Sequence, residues 1–350
     1  MTATRKDDHV RLAVAQHQTG HHDRPSTFDD VRFVHHALAG TDRDRIDLTT
    51  TVAGRSWPVP FYINAMTGGT DATGRINRDL AIAARETGLP IATGSLSPYL
   101  KDPRTAESFT TVRRHHPDGF VMANLNANAT PEQARRAVGL LEADALQIHL
   151  NSVQETVMPE GDRSFGHWPA AIAAIARAVD VPVIVKEVGF GLSGRTVAHL
   201  AELGVAAADV AGRGGTDFAR IENGRRPDAD YAYLGGWGLS TPEALLDARD
   251  GGLPLLASGG VRHPLDAARA LALGARAVGC SGPFLTTVTA GGPDALITRI
   301  TTWIDQLTAL MTLLGAPTPA ALSSCELLLT GDLHDFCAQR GIRLKTGKDS

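Results

Sequence analysis

The stretch PLLASGGVRHPLDAARALALGARAVGC, residues 254–280, contains a whole architectural unit. It opens on a short apolar run, PLLAS (254–258), and turns on Gly259 and Gly260. The order polar residue, proline, acid in His263, Pro264 and Asp266 suits a helix N-terminus. Helical spacing covers 264–273, Gly274 stops it, and a second apolar run, AVGC (277–280), follows. Strands apolar on both faces and joined through a helix belong to a parallel sheet covered by helices.

The same rhythm extends upstream. Apolar runs at 60–65, 90–93, 119–124, 145–150, 182–187 and 207–211 bring the number of strands to eight. Helical patterns separate them at 73–87, 104–115, 131–142, 168–178, 194–203 and 241–249. TPEQARRA (130–137) and STPEALLDA (240–248) carry helix-initiating caps. Eight such units predict an α/β fold, a closed (β/α)8 TIM barrel. An open doubly wound sheet is the runner-up, but no glycine-rich dinucleotide fingerprint follows the first strand. Residues 1–59 then form an N-terminal extension that clamps substrate, and 60–292 the barrel. Residues 293–350 supply extra helices, the amphipathic DALITRITTWIDQLTALMTLLGA among them, that complete the barrel or make a subunit contact.

Composition removes several function classes. The 350-residue chain is 43% hydrophobic, with a net charge of −4 and no long Lys/Arg run, which argues against nucleic-acid binding. Three cysteines, Cys280, Cys325 and Cys337, are too few for a disulfide scaffold and lack zinc-type spacing. No apolar run approaches the ~20 residues of a membrane helix, and MTATRKDDHVRLAVAQH lacks a signal-peptide core. A cytoplasmic enzyme is expected.

In a barrel, chemistry collects at the C-terminal ends of the strands. There the chain places Asn64 to Thr67, then Ser95, Asn124, His149, Lys186, Thr216, Ser258 to Arg262, and Cys280 to Gly282. The double-glycine loop after strand seven and the small-residue loop after strand eight form the usual phosphate cradle, open to backbone N–H donation. Lys186 could compensate an anionic cofactor ring, form a Schiff base, or pair with Glu187. In QIHLNSVQE (147–155), His149 and Asn151 share one face of a strand. Taken alone, Glu155 reads as a surface glutamate at a helix start and His149 as a satisfied core histidine; the functional reading makes Glu155 a hard oxygen ligand suited to Mg²⁺, held through substrate phosphates and water. RKDDHVR (5–11) groups Arg5, Lys6, His9 and Arg11 as an anion clamp or a solvated helix start.

RKDDHV, FDDVRFVHHALAG, INAMTGGT, QIHLNSVQE, VIVKEVGFGLS, GRGGTDFARIE and ASGGVRHPLDAARALALGARAVG together resemble the type 2 isopentenyl diphosphate isomerases over roughly residues 5–340. The resemblance implies an FMN-dependent barrel interconverting isopentenyl and dimethylallyl diphosphate, with NADPH as reductant, Mg²⁺ on the diphosphate, and a homo-oligomer, tetramer or octamer. It implies that Ala65, Met66, Thr67, Ser95, Asn124, Lys186 and Thr216 contact the flavin. Gly259, Gly260, Val261, Arg262, Ser281 and Gly282 would hold its phosphate. Arg5, Lys6, His9, Ser95, His149, Asn151 and Gln154 would bind substrate, with Trp237 near its isoprene end and Glu155 on the metal. Gln154 and His149 would serve catalysis. In one departure, Leu96 and Ser97 stand where many members read Gln-Arg, with Lys101 as the replacement cation. The alternatives are a hydroxy-acid oxidoreductase of the same fold, a homologue acting on a longer prenyl diphosphate, and a non-enzymatic binding protein.

Overall fold

The protein, as a computed structural model, is described over residues 2–18, 26–64 and 66–343, with side chains for all of these but 2–6 and 18. Eight parallel strands close on themselves: β1 (Phe61–Ile63), β2 (Ile91–Ala92), β3 (Val121–Asn126), β4 (Ala145–His149), β5 (Val183–Lys186), β6 (Ala207–Asp209), β7 (Leu255–Ser258) and β8 (Ala275–Cys280). They pair in chain order, and Val278 of β8 sits opposite Phe61 of β1 to complete the ring. Helices follow where the spacing puts them, for example Pro131–Leu141, Trp168–Ala178 and Pro264–Ala272. Thr130 and Ser240 form full capping boxes at their helix starts.

The barrel interior holds Tyr62, Ala92, Met122, Ala145, Ile184, Ala207, Leu256 and Ala277, one from each strand. Its N-terminal end is plugged by a hairpin, Thr50–Val52 with Arg55–Trp57. Trp57 packs edge-on against Tyr62 at 5.6 Å and tilts against Phe120 at 5.3 Å. The hairpin belongs to the stretch before the barrel, yet its apolar face is core. The second hydrophobic cluster fills the space between strands and outer helices.

Two further pieces position the site. The N-terminal helix Thr2–Gln18 packs on the Gly282–Leu313 helix and on the helices Asp71–Thr87 and Phe218–Asn223. The chain ends are tied together where Val31–Phe33 pairs antiparallel with Leu327–Leu329. The Gly282–Leu313 helix breaks at Gly292, with φ of 71° and Pro293 behind it. Past the break Trp303 packs on Phe284 and Phe61, which seats this arm against the barrel.

Candidate active site

The C-terminal ends of the strands open into one cavity of about 730 Å³. One side is glycine-built. Gly259 has φ of +92°, and a Cβ there would lie 2.0 Å from the Gly212 carbonyl oxygen. A Cβ on Gly215 would come within 2.9 Å of the Gly260 nitrogen. The loops after β6 and β7 therefore touch backbone to backbone, a packing only glycine permits. With Ser281 and Gly282 beside them, they form a concave lining made of main chain, which fits a phosphate. Arg262 stiffens this loop. Its guanidinium is held between Asp29 at 2.6 Å and the fully buried Asp266 at 2.8 Å, and Asp266 also accepts the Arg262 main-chain N–H.

Across the barrel, β4 delivers the polar wall. His149 Nδ1 lies 2.8 Å from Asn124 Oδ1. Asn151 donates to Glu155 at 2.9 Å, and the other Glu155 oxygen accepts the Asp162 N–H at 2.8 Å. Asn151 Oδ1 is buried without a protein donor. A hydrated cation on Glu155 would supply that donor, so the residues of this corner fit a hydrated Mg²⁺. Among the described residues no group of three or more His, Cys, Asp or Glu side chains could hold a metal by itself.

Gln154 donates to Glu222 at 2.9 Å. Glu222 has no exposed side-chain surface and also meets Arg225 at 2.5 Å. His9 Nε2 lies 3.0 Å away, at ion-pair distance but off the line of a hydrogen bond. Burial pushes the Glu222 carboxyl up, but the contacts from His9, Gln154 and Arg225 outweigh it and hold the pKa at about 2. Lys186, 6% exposed, donates to the Glu187 carbonyl at 2.6 Å. Burial pushes its pKa down, against the pull of Asp209 and Glu187. The Glu187 carboxylate turns instead to the N–H groups of Val188, Gly189 and Phe190. Burial nevertheless raises its pKa to about 7.

A sequence-family model described as FMN-dependent dehydrogenase matches residues 109–328. The isopentenyl-diphosphate delta-isomerase of Streptomyces sp. (strain CL190) is 64% identical over 341 residues, 97% of this chain and 93% of that protein. The enzyme of the same name from Nocardia farcinica is 59% identical over 98% of this chain and 94% of its own. The chain belongs to the FMN-dependent, type 2 isopentenyl-diphosphate delta-isomerases. A solved mandelate oxidase variant is similar in fold to this isomerase, at 17% identity and a TM-score of 0.63, over 91% of this chain and 90% of its own.

Most of the expected site residues of the isomerase share the one cavity. His9, Met66, Ser95, Asn124, His149, Asn151, Gln154, Glu155, Lys186 and Thr216 line it, as do Gly259 to Arg262, Ser281 and Gly282. Thr67 is buried and turned to Asn77, outside that lining. Trp237 is 58% exposed and lines a neighbouring cavity of about 540 Å³, which shares Gly189 and Gly214 to Thr216 with the first. Ala65 and the side chains of Arg5 and Lys6 lie outside the described residues. Lys101, at the end of the Ser97–Lys101 helix, lines the cavity too. Sequence reading missed Glu222. It closes the motif GRGGTDFARIE, but a glutamate near a helix end reads as surface until the fold folds it under His9. His17 was missed as well: it lies 3.3 Å from Thr216 and packs against Gly282, where a Cβ would collide with its ring.

Proposed function

We propose that this isomerase interconverts isopentenyl and dimethylallyl diphosphate in the barrel-mouth cavity. FMN would sit with its phosphate on the glycine loops and the substrate diphosphate on the β4 wall. The observation that carries this is the single cavity: the glycine cradle and the His149–Glu155 wall face each other across it. The names of the close relatives support the substrate class.

The reaction moves a double bond and a proton with no net redox change. Bound and reduced, with NADPH as the reductant, FMN would supply the acid–base chemistry that ordinary side chains provide poorly for an alkene. The chain's own residues position and discriminate. Asn151 is oriented by Glu155, and Mg²⁺ on Glu155 would bridge to the diphosphate. Lys101, with Arg5 and Lys6 of the N-terminal helix, would add cationic charge. Gln154 is held at both ends: an ionised Glu222 accepts from its Nε2 at 2.9 Å, and its Oε1 accepts from Asn151 Nδ2 at 3.4 Å. With a pKa of about 2, Glu222 acts as a fixed acceptor at neutral pH rather than as a proton shuttle. Lys186 would place a positive charge beside an anionic reduced ring. His149, its Nδ1 2.8 Å from Asn124 Oδ1, would meet the diphosphate through its other ring nitrogen.

Residues 34 and 41 hydrogen-bond to residues 326 and 312, so the segments that carry the exposed Leu38, Leu313 and Leu328 adjoin and offer a partly apolar face. That face supports a homo-oligomer, tetramer or octamer. No described helix is long and apolar enough to cross a membrane, and a cytoplasmic site of action belongs to the same proposal.

The test is turnover of isopentenyl diphosphate in deuterated water with FMN reduced by NADPH and Mg²⁺ present. Deuterium should enter the product while the flavin spectrum stays reduced. Flavin oxidation in step with product, or no deuterium in product, would overturn the reading.

A further inference from the structure

A buried polar chain runs from the barrel interior up to His149 in the cavity wall, and the proposed chemistry gives its inner members, Asp209, Asn64 and Gln147, no role. It starts at Asp209 on β6, which is wholly buried. Its carboxylate accepts from Tyr62 Oη at 2.7 Å, Asn64 Nδ2 at 3.0 Å, Ser258 Oγ at 2.8 Å and the Ala211 N–H at 3.2 Å. The chain continues from Asn64: Gln147 Nε2 reaches Asn64 Oδ1 at 3.5 Å, and Asn124 Nδ2 reaches Gln147 Oε1 at 3.2 Å. His149 Nδ1 lies 2.8 Å from Asn124 Oδ1. Asn64, Asn124 and Gln147 are all buried.

Such a chain has a direction. An ionised carboxylate only accepts, so Asn64 must turn its NH₂ toward Asp209 and its oxygen away. That oxygen can only accept, so Gln147 must turn its NH₂ toward Asn64. The same logic turns the NH₂ of Asn124 toward Gln147 and its oxygen toward His149. An amide oxygen facing Nδ1 requires a hydrogen on Nδ1. Each amide is thus oriented by its neighbour, and the sense of the whole row is set at its one charged end. Tyr62 and the Ala211 N–H reinforce that sense, because both are donors to the same carboxylate.

We infer that Asp209 is a positioning residue that fixes the tautomer of His149, through Asn64, Gln147 and Asn124, as the Nδ1–H form. Nε2 is then the nitrogen that gains or loses a proton, and it is aimed away from Asn124. The tautomer holds whether or not the diphosphate reading is right. The consequence for turnover rests on that reading, since His149 can donate to an anion only through a protonated Nε2.

The experiment uses substrate-free holoenzyme labelled with ¹⁵N-histidine. Its thirteen histidines are resolved by comparison with His149→Gln, at a pH where the ring is neutral. His149 should show the nitrogen shifts and couplings of the Nδ1–H tautomer. Asp209→Asn lets either end of the terminal group donate, and Gln147→Leu cuts the row midway while leaving Asp209 intact. Both should move His149 toward a mixture of tautomers with FMN still bound. With isopentenyl diphosphate, kcat/KM should fall roughly 10- to 100-fold, the scale of losing an orienting partner. A wild-type His149 in the Nε2–H form would overturn the inference. So would an unchanged Nδ1–H signal in Gln147→Leu, a variant that keeps the test open if Asp209→Asn fails to fold. A correct tautomer with no isomerase turnover would instead count against the proposed function alone.

Discussion

Glu222→Gln isolates the contact that joins the N-terminal helix to the active-site wall. Its partners, His9, Gln154 and Arg225, hold the carboxyl pKa at about 2, against an ordinary value of 4.5. At about 1.4 kcal/mol per unit, this is roughly 3 kcal/mol of preference for the ionised form. The folded pKa lies below the unfolded one, so the stabilisation is fully present above about pH 4.5. It is lost as pH falls through about 2. Neutral glutamine keeps the shape but gives up the charge. Urea unfolding at neutral pH should therefore show Glu222→Gln less stable by up to about 3 kcal/mol. The gap should narrow as both proteins are taken from pH 5 toward pH 3. A gap below about 0.5 kcal/mol, the scale of an ordinary exposed substitution, would refute the reasoning, as would one that ignores pH over that range. Activity should fall as well, because Gln154 loses its fixed acceptor.

Glu155→Gln should keep FMN bound and weaken the response of activity to added Mg²⁺; an unchanged Mg²⁺ titration would remove Glu155 from the metal. Gly259→Ala should give a colourless or unfolded protein, since its Cβ would press on the Gly212 carbonyl at a backbone φ of +92°; a normally yellow preparation would contradict the cradle. Glu187 runs opposite to Glu222. Its pKa is raised to about 7, so the stability it contributes is complete below about pH 4.5 and is lost as pH rises through 7. Glu187→Gln should remove that part of the decline from the measured stability–pH profile.

The barrel was legible because each strand is apolar on both faces and each helix carries its own cap. Helix ranges read from the spacing fall within about three residues of those in the structure, and the strands only trade a residue or two at their ends. The hairpin plug was not legible. TTVAGRSW (50–57) alternates too briefly to declare a strand pair, and its buried face exists only once a barrel end needs filling. The same division runs through the site. Glycine loops and the β4 run announce themselves by type and position. Glu222 and His17 acquire their surroundings from elements some two hundred residues away in sequence. Asp209 did leave a local trace, as a carboxylate inside AADVA, where an apolar strand has no reason to carry one unless the interior supplies donors.

The N-terminal helix has a consequence for how this enzyme can be handled and how it could diverge. The floor of the pocket belongs to strands and loops of a barrel whose shape is shared with oxidases of little sequence likeness. Part of the roof comes from a single leading helix, held by His9, Gln16 and His17 to the segment from Thr216 to Glu222. Floor and roof are therefore separately editable. Exchanging that helix would readdress the pocket without disturbing the barrel.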